Sequence, residues 1–151
     1  MTKIWRRIAA AGLAASLLGV APAQAGDPFG DMLAGKSAMK GKKLTVLVWH
    51  YHDDDVRGPD AEVRVDLPGA PKGVPVVKRY LIDETHSNSF TAWQAMGSPQ
   101  EPSAEQIAQL EESCKLGEVK EQPRFVEEEN LSAIMVTLPR QGVTLLEMEW
   151  K

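Results

Sequence analysis

The 151-residue chain has a single cysteine, Cys114, so no intrachain disulfide can staple it. It also lacks the ~20-residue apolar run that a membrane-spanning helix needs; Ile8–Val20 is too short. There is no HExxH pair for a zinc hydrolase and no GxSxG elbow for a serine hydrolase. Positive charge is short as well, with 17 Lys and Arg against 21 Asp and Glu. An acidic chain excludes a nucleic-acid partner, because phosphate binding requires a basic face. There is no internal repeat.

What is present begins with an export signature. Lys3, Arg6 and Arg7 precede the Ile8–Val20 apolar stretch, and Ala23-Gln24-Ala25 is a small-x-small cleavage site. Residues 1–25 therefore read as a signal peptide that sends the chain to the periplasm or out of the cell. No membrane attachment is expected after cleavage. Removing 25 residues that carry three positive charges from a chain of net charge −4 leaves 126 residues and −7. That length suits one domain.

Residues 26–43 are rich in Gly, Lys and Asp and read as a linker or N-terminal arm. Within them, Gly30–Ser37 fits GxxxxGK[ST], the phosphate-loop pattern. That loop needs a strand before it and a helix after it, and the sequence supplies neither. It reads as a chance match.

From residue 44 the pattern is that of an all-β domain, an antiparallel β-sandwich spanning 44–151 with one short helical excursion. Leu44–Tyr51 is apolar on both faces and predicts a central strand. Glu62–Leu67 alternates, with Val63, Val65 and Leu67 on one side. Val76–Asp83 is a third strand, rich in β-branched and aromatic residues. The period then lengthens. Phe90, Trp93 and Met96 predict a helix over Ser89–Met96 stopped by Gly97. Ser103 and Gln106 form a capping box for a second helix, with Gly117 as its left-handed cap. Cys114 is a spare thiol on that helix. Arg124–Val126, Leu131–Leu138 and Val143–Trp150 return to strands, the last two joined by Pro139-Arg140-Gln141-Gly142 as a hairpin. Helices do not alternate with strands, so a βαβ fold is excluded.

The candidate functional residues follow two of these strands. His50, His52, Asp53, Asp54 and Asp55 form a polar rim where the strand Leu44–Tyr51 leaves the core. His50 and His52 share a strand face, so with Asp53 they are metal-ligand candidates, although the acids lack EF-hand spacing. His86, Asn88 and Trp93 form a second group; Ser and Asn there also suit a helix N-cap. A third reading makes both groups an interface anchored by Trp49, Tyr51, Phe90 and Trp93. Trp49 is expected in the core. No catalytic residue and no cofactor are assigned.

Three segments carry a resemblance. VLVWHYHDDDVRGPDAEV (Val46–Val63), YLIDETHSNSFTAWQAMGSPQEPSAEQIAQLE (Tyr80–Glu111) and LPRQGVTLLEMEW (Leu138–Trp150) resemble the C-terminal region of family 39 glycoside hydrolases. That family contains β-xylosidases and has α-L-iduronidases as relatives. The resemblance implies an accessory β-sandwich that packs on a catalytic (β/α)8 barrel. The family's catalytic glutamates lie on the barrel, the acid/base after an asparagine. This chain has no Asn-Glu pair, Glu129-Asn130 being the reverse, and is too short for a barrel of ~250 residues. The expected function is thus a non-catalytic module, partnered by a barrel or by a second copy of itself. A stand-alone module that binds xylo-oligosaccharide is the alternative, and a His/Asp metal-binding protein is the third.

Overall fold

The computed structural model describes residues 6–9, 32–53, 56, 58–128 and 131–151. Among these residues, eight strands and two helices run in the order β1 (Arg6–Ala9), β2 (Met32–Lys40), β3 (Lys43–Tyr51), β4 (Ala61–Leu67), β5 (Val76–Ile82), α1 (Ser89–Ala95), α2 (Ala104–Ser113), β6 (Arg124–Glu127), β7 (Ser132–Leu138) and β8 (Val143–Glu149). One sheet has the order β1-β4-β7-β6 and the other β2-β3-β8-β5. Every pairing is antiparallel except β1 with β4.

The core fills the space between the sheets, and its residues follow from strand period. Alternate side chains point to one face. On β3 these are Leu44, Val46 and Val48; on β4 they are Val63, Val65 and Leu67. Ile134, Val136 and Leu138 of β7 and Leu146 and Met148 of β8 complete it. Full burial of one such side chain stabilises the fold by roughly 1.5–3 kcal/mol. The predicted central strand is central, with β2 on one side and β8 on the other.

The arm expected as a linker is partly strand. Residues 32–40 pair with β3 over its whole length, from Met32↔Tyr51 to Lys40↔Lys43. The connection is a two-residue turn at Gly41–Lys42, with Gly41 at φ +60°. A positive φ at this position matches the twist of a hairpin, and glycine adopts it without a Cβ clash. The neighbouring strand's hydrogen-bonding edge thus recruits a segment whose own composition is poor in strand signals. Lys36 and Ser37 of the GxxxxGK[ST] match lie in this ladder, opposite Leu47 and Val46. β1 lies within the stretch read as a signal peptide; the rest of residues 1–25 lies outside the described residues.

Two further expectations are corrected. Trp49 is half-buried on the outer face of β3 with Leu47, out of phase with Val48. Gly117 is not a left-handed cap. α2 stops at Ser113, and Cys114, exposed and with φ −89°, is its C-cap. The capping box at Ser103 and Gln106 is complete in both directions. Neither helix has a buried residue, so both lie on the surface of the sandwich.

Candidate functional site

The two candidate groups leave the same end of one sheet. Trp49 of β3 and Ile82 of β5 both pair with Val143 of β8, from opposite sides. The chain beyond Trp49 and the chain beyond Ile82 are therefore two strand spacings apart, ~10 Å. The β7–β8 turn, Pro139–Gly142, opens between them.

His50 does not leave the core. It continues the inward phase of Leu44, Val46 and Val48 and is 2% exposed, while His52 beyond the strand end is 8% exposed. Their Nε2 atoms are 2.8 Å apart and the rings meet edge to face at 4.6 Å. Such a bond requires one ring to donate and the other to accept. One Nε2 therefore carries a proton and the other presents a lone pair. This pairing is how two imidazoles remain where an unpartnered polar group would be costly.

The β7–β8 turn locks the pair in place. The His50 amide donates to the Gly142 carbonyl at 2.9 Å. The Gln141 side chain grips the backbone of His52 from both sides: its Oε1 accepts from the His52 amide at 3.3 Å and its Nε2 donates to the His52 carbonyl at 2.6 Å. Gln141 itself sits at φ +59°, in the left-handed region that costs a side chain about 1–2 kcal/mol. The turn closes through the Gly142 amide donating to the Pro139 carbonyl at 3.0 Å. A Cβ on Gly142 would stand 2.8 Å from that carbonyl, so glycine is required for space rather than for φ.

Asp53 is exposed, and its carboxylate beside the Tyr51 hydroxyl pushes the phenol's pKa up. Asp54 and Asp55 lie outside the described residues. As a metal centre, the described part of the rim offers two imidazole nitrogens already bonded to each other. Among the described residues no three His, Cys, Asp or Glu side chains converge as a metal-ligand group.

The second group is built by local contacts around Asp83, which sequence reading did not single out. Its Oδ1 accepts from the Thr85 amide at 2.7 Å, the His86 amide at 2.8 Å and the Thr85 hydroxyl at 3.0 Å. His86 Nδ1 lies 3.0 Å from the same oxygen. Partial burial pushes the Asp83 carboxyl up, but these hydrogen bonds outweigh it and hold it below the ordinary carboxylate range. Asn88 donates to the Asp83 carbonyl at 2.8 Å and caps α1 by accepting from the amides of Phe90 and Thr91. Trp93 donates its indole N–H to the Pro99 carbonyl at 3.0 Å and stacks on Phe90 with centroids 5.8 Å apart. Phe90, 59% exposed, is the more open ring of that pair. His86, Asn88 and Trp93 thus order a turn and a helix, and leave an aromatic face beside them.

Gln141 and Asp83 were missed because each acts through backbone atoms of a neighbour. The positive φ at Gln141 had no signal in the sequence, since the third position of Pro-Arg-Gln-Gly lacks the Asn or Gly that favours it.

Comparison with known proteins agrees with this architecture. Residues 29–129 match glycosyl hydrolases family 39. A β-xylosidase of Geobacillus stearothermophilus is 25% identical over 120 residues, 80% of this chain and 23% of that protein. The GH39 enzyme from Xanthomonas axonopodis pv. citri superposes with a TM-score of 0.60 at 18% identity, covering 79% of this chain and 27% of the enzyme. A monomeric β-xylosidase from Caulobacter crescentus superposes with a TM-score of 0.54 at 15% identity, over 79% and 27% of the two chains. The chain therefore spans about a quarter of the length of the relatives it matches. With the match extending over residues 29–129, the chain belongs to glycosyl hydrolases family 39.

Proposed function

We propose that the chain is a non-catalytic β-sandwich module of a family 39 glycoside hydrolase system, exported and held by its polar rim to a catalytic (β/α)8 partner. One observation carries this reading: a family match joined to a sandwich that spans about a quarter of β-xylosidase length. The rim supports it. The buried His50–His52 pair and the Gln141 turn brace this end of the sheet from within, and Asp53, Tyr51, His86 and Phe90 stand exposed at it. Exposed aromatics beside polar groups suit docking.

The test is enzymatic and physical. Purified chain alone is expected to leave aryl β-xylosides intact, and to co-sediment with the isolated barrel of a family 39 β-xylosidase. Turnover that disappears on a carboxylate substitution in this chain would overturn the reading. So would failure to co-sediment with any such barrel.

Export has a structural consequence within this proposal. Removing residues 1–25 removes β1 and opens the β4 edge, a row of unpaired backbone groups. The shortened chain is expected to self-associate more strongly than the full chain in sedimentation; equal behaviour would count against the β4 edge as a contact.

The Phe90–Trp93 stack favours one second reading, a xylo-oligosaccharide platform, since sugars lie on exposed aromatic faces. Titration followed by Trp fluorescence decides it, and an unchanged spectrum with no heat of binding removes it.

A further inference from the structure

Arg79 is a buried arginine with no ion pair to any described carboxylate. On β5 the inward phase is Val77, Arg79 and Leu81, so a guanidinium occupies a core-facing position and is 4% exposed. It crosses between the sheets. Nη2 donates to the Thr137 carbonyl of β7 at 2.8 Å, and Nε donates to the Thr144 hydroxyl of β8 at 3.3 Å. Both acceptors are neutral. None of the described carboxylates forms an ion pair with Arg79, unlike Arg64, which bonds Asp66 at 2.7 Å and Glu128 at 2.9 Å. A buried charge is normally paired, because desolvation without a counter-charge costs several kcal/mol. Burial accordingly weakens the hold of Arg79 on its proton, with Glu121 and Asp83 opposing only through space.

The missing counter-charge has a place to sit. Arg79 lines an open cleft of about 310 Å³ where β5 faces β6 and β7, together with Glu62, Glu121, Gln122, Arg124 and Thr137. The segment before β6 is fixed on β5 by the Val119 amide donating to the Arg79 carbonyl at 2.8 Å. The Thr137 hydroxyl donates to Glu62 at 3.2 Å, which turns that carboxylate toward the same face.

We infer that this cleft binds a small polyhydroxylated carboxylate, a sugar acid, with its carboxylate on Arg79 and Arg124 and its hydroxyls on Glu62, Glu121 and Gln122. Each half of the ligand answers one half of the lining. Guanidinium groups have donors only and match a carboxylate; glutamates have acceptors only and match hydroxyls. A phosphate dianion fits worse, since Glu62 and Glu121 would repel its second charge. The volume lies at the small end of ligand clefts and suits one sugar unit. The site is mid-strand, with Arg79 opposite Leu146, and is separate from the rim at Val143, so its fate does not bear on docking.

The test uses isotope-labelled full chain titrated with D-glucuronate, D-glucose and acetate, read by amide and arginine Nε shifts. Glucuronate is expected to saturate with a Kd of about 1 mM. Glucose and acetate should each bind about tenfold more weakly, or worse, because each lacks one half of the contacts. Arg124 is exposed, so Arg124→Ala is expected to keep the spectrum of a folded chain and weaken glucuronate about tenfold. Arg79→Lys, which keeps the charge but loses the fork, should weaken it as well. A folded chain that shows no saturable glucuronate shift overturns the inference. So does an equal response to glucose, or an Arg124→Ala variant that binds as the parent does.

Discussion

His50 near the end of β3 and His86 just beyond β5 share one polar end of the same sheet, yet they are held in opposite ways. His50 and His52 are buried, and the grip on His52 comes from Gln141, 89 residues away. Around His86, the bonds that join Asp83, Thr85, His86 and Asn88 span no more than five residues. Local bonds order a loop whether or not the sandwich is closed; distant bonds exist only when it is. The first group should therefore report on global stability and the second on its own segment.

The sharpest way to break this contrast is His50→Ala. It removes a buried ring together with the imidazole that bonds His52 Nε2, at an expected cost of about 3 kcal/mol. A fall in the urea midpoint with unchanged slope is the signature. A loss below about 1 kcal/mol would mean that the histidines are rim rather than core. Gln141→Ala comes next, at about 1–2 kcal/mol for two hydrogen bonds. Gln141→Gly should recover about 1 kcal/mol of that, because glycine occupies φ +59° without strain. If Gly is no better than Ala, the turn is not strained.

On the other side, Asn88→Ala removes the α1 cap and should cost about 1 kcal/mol. Hydrogen exchange is expected to quicken in α1 while the amides of β3 and β8 stay protected; uniform loss would erase the contrast. The smallest effect is a pH dependence at Asp83. Its folded pKa lies below its unfolded value near ~4, so the stability it adds is complete above that pH. That stability is lost as pH falls through the folded value. Asp83→Asn should remove that acid-side slope, read from urea midpoints measured between about pH 2 and 5.

Much of the fold was legible because it rests on local period. The alternation in Glu62–Leu67, the capping box at Ser103 and the Pro139–Gly142 hairpin all appear where expected. β2 was not, since nothing in Met32–Lys40 but the neighbouring edge of β3 makes it a strand. The candidate site was legible only as residue types. His50 and His52 were read onto one strand face, and they share it. That they bond each other inside the core depended on a turn about 90 residues downstream. Asn88 as a helix cap needed only its neighbours and was readable for that reason.

By itself, then, the sequence determined the all-β architecture and the helical excursion, because periodicity and turn chemistry act over a few residues. Tertiary structure alone decided the phase of β5 that turns Arg79 inward, the recruitment of β2, and the burial of His50 and His52 at a stretch that reads as solvent-facing. Each of these rests on a partner contributed by a strand or turn distant in the chain. A polar side chain's place depends on where its hydrogen bonds can be met, and that is known only once the two sheets have closed.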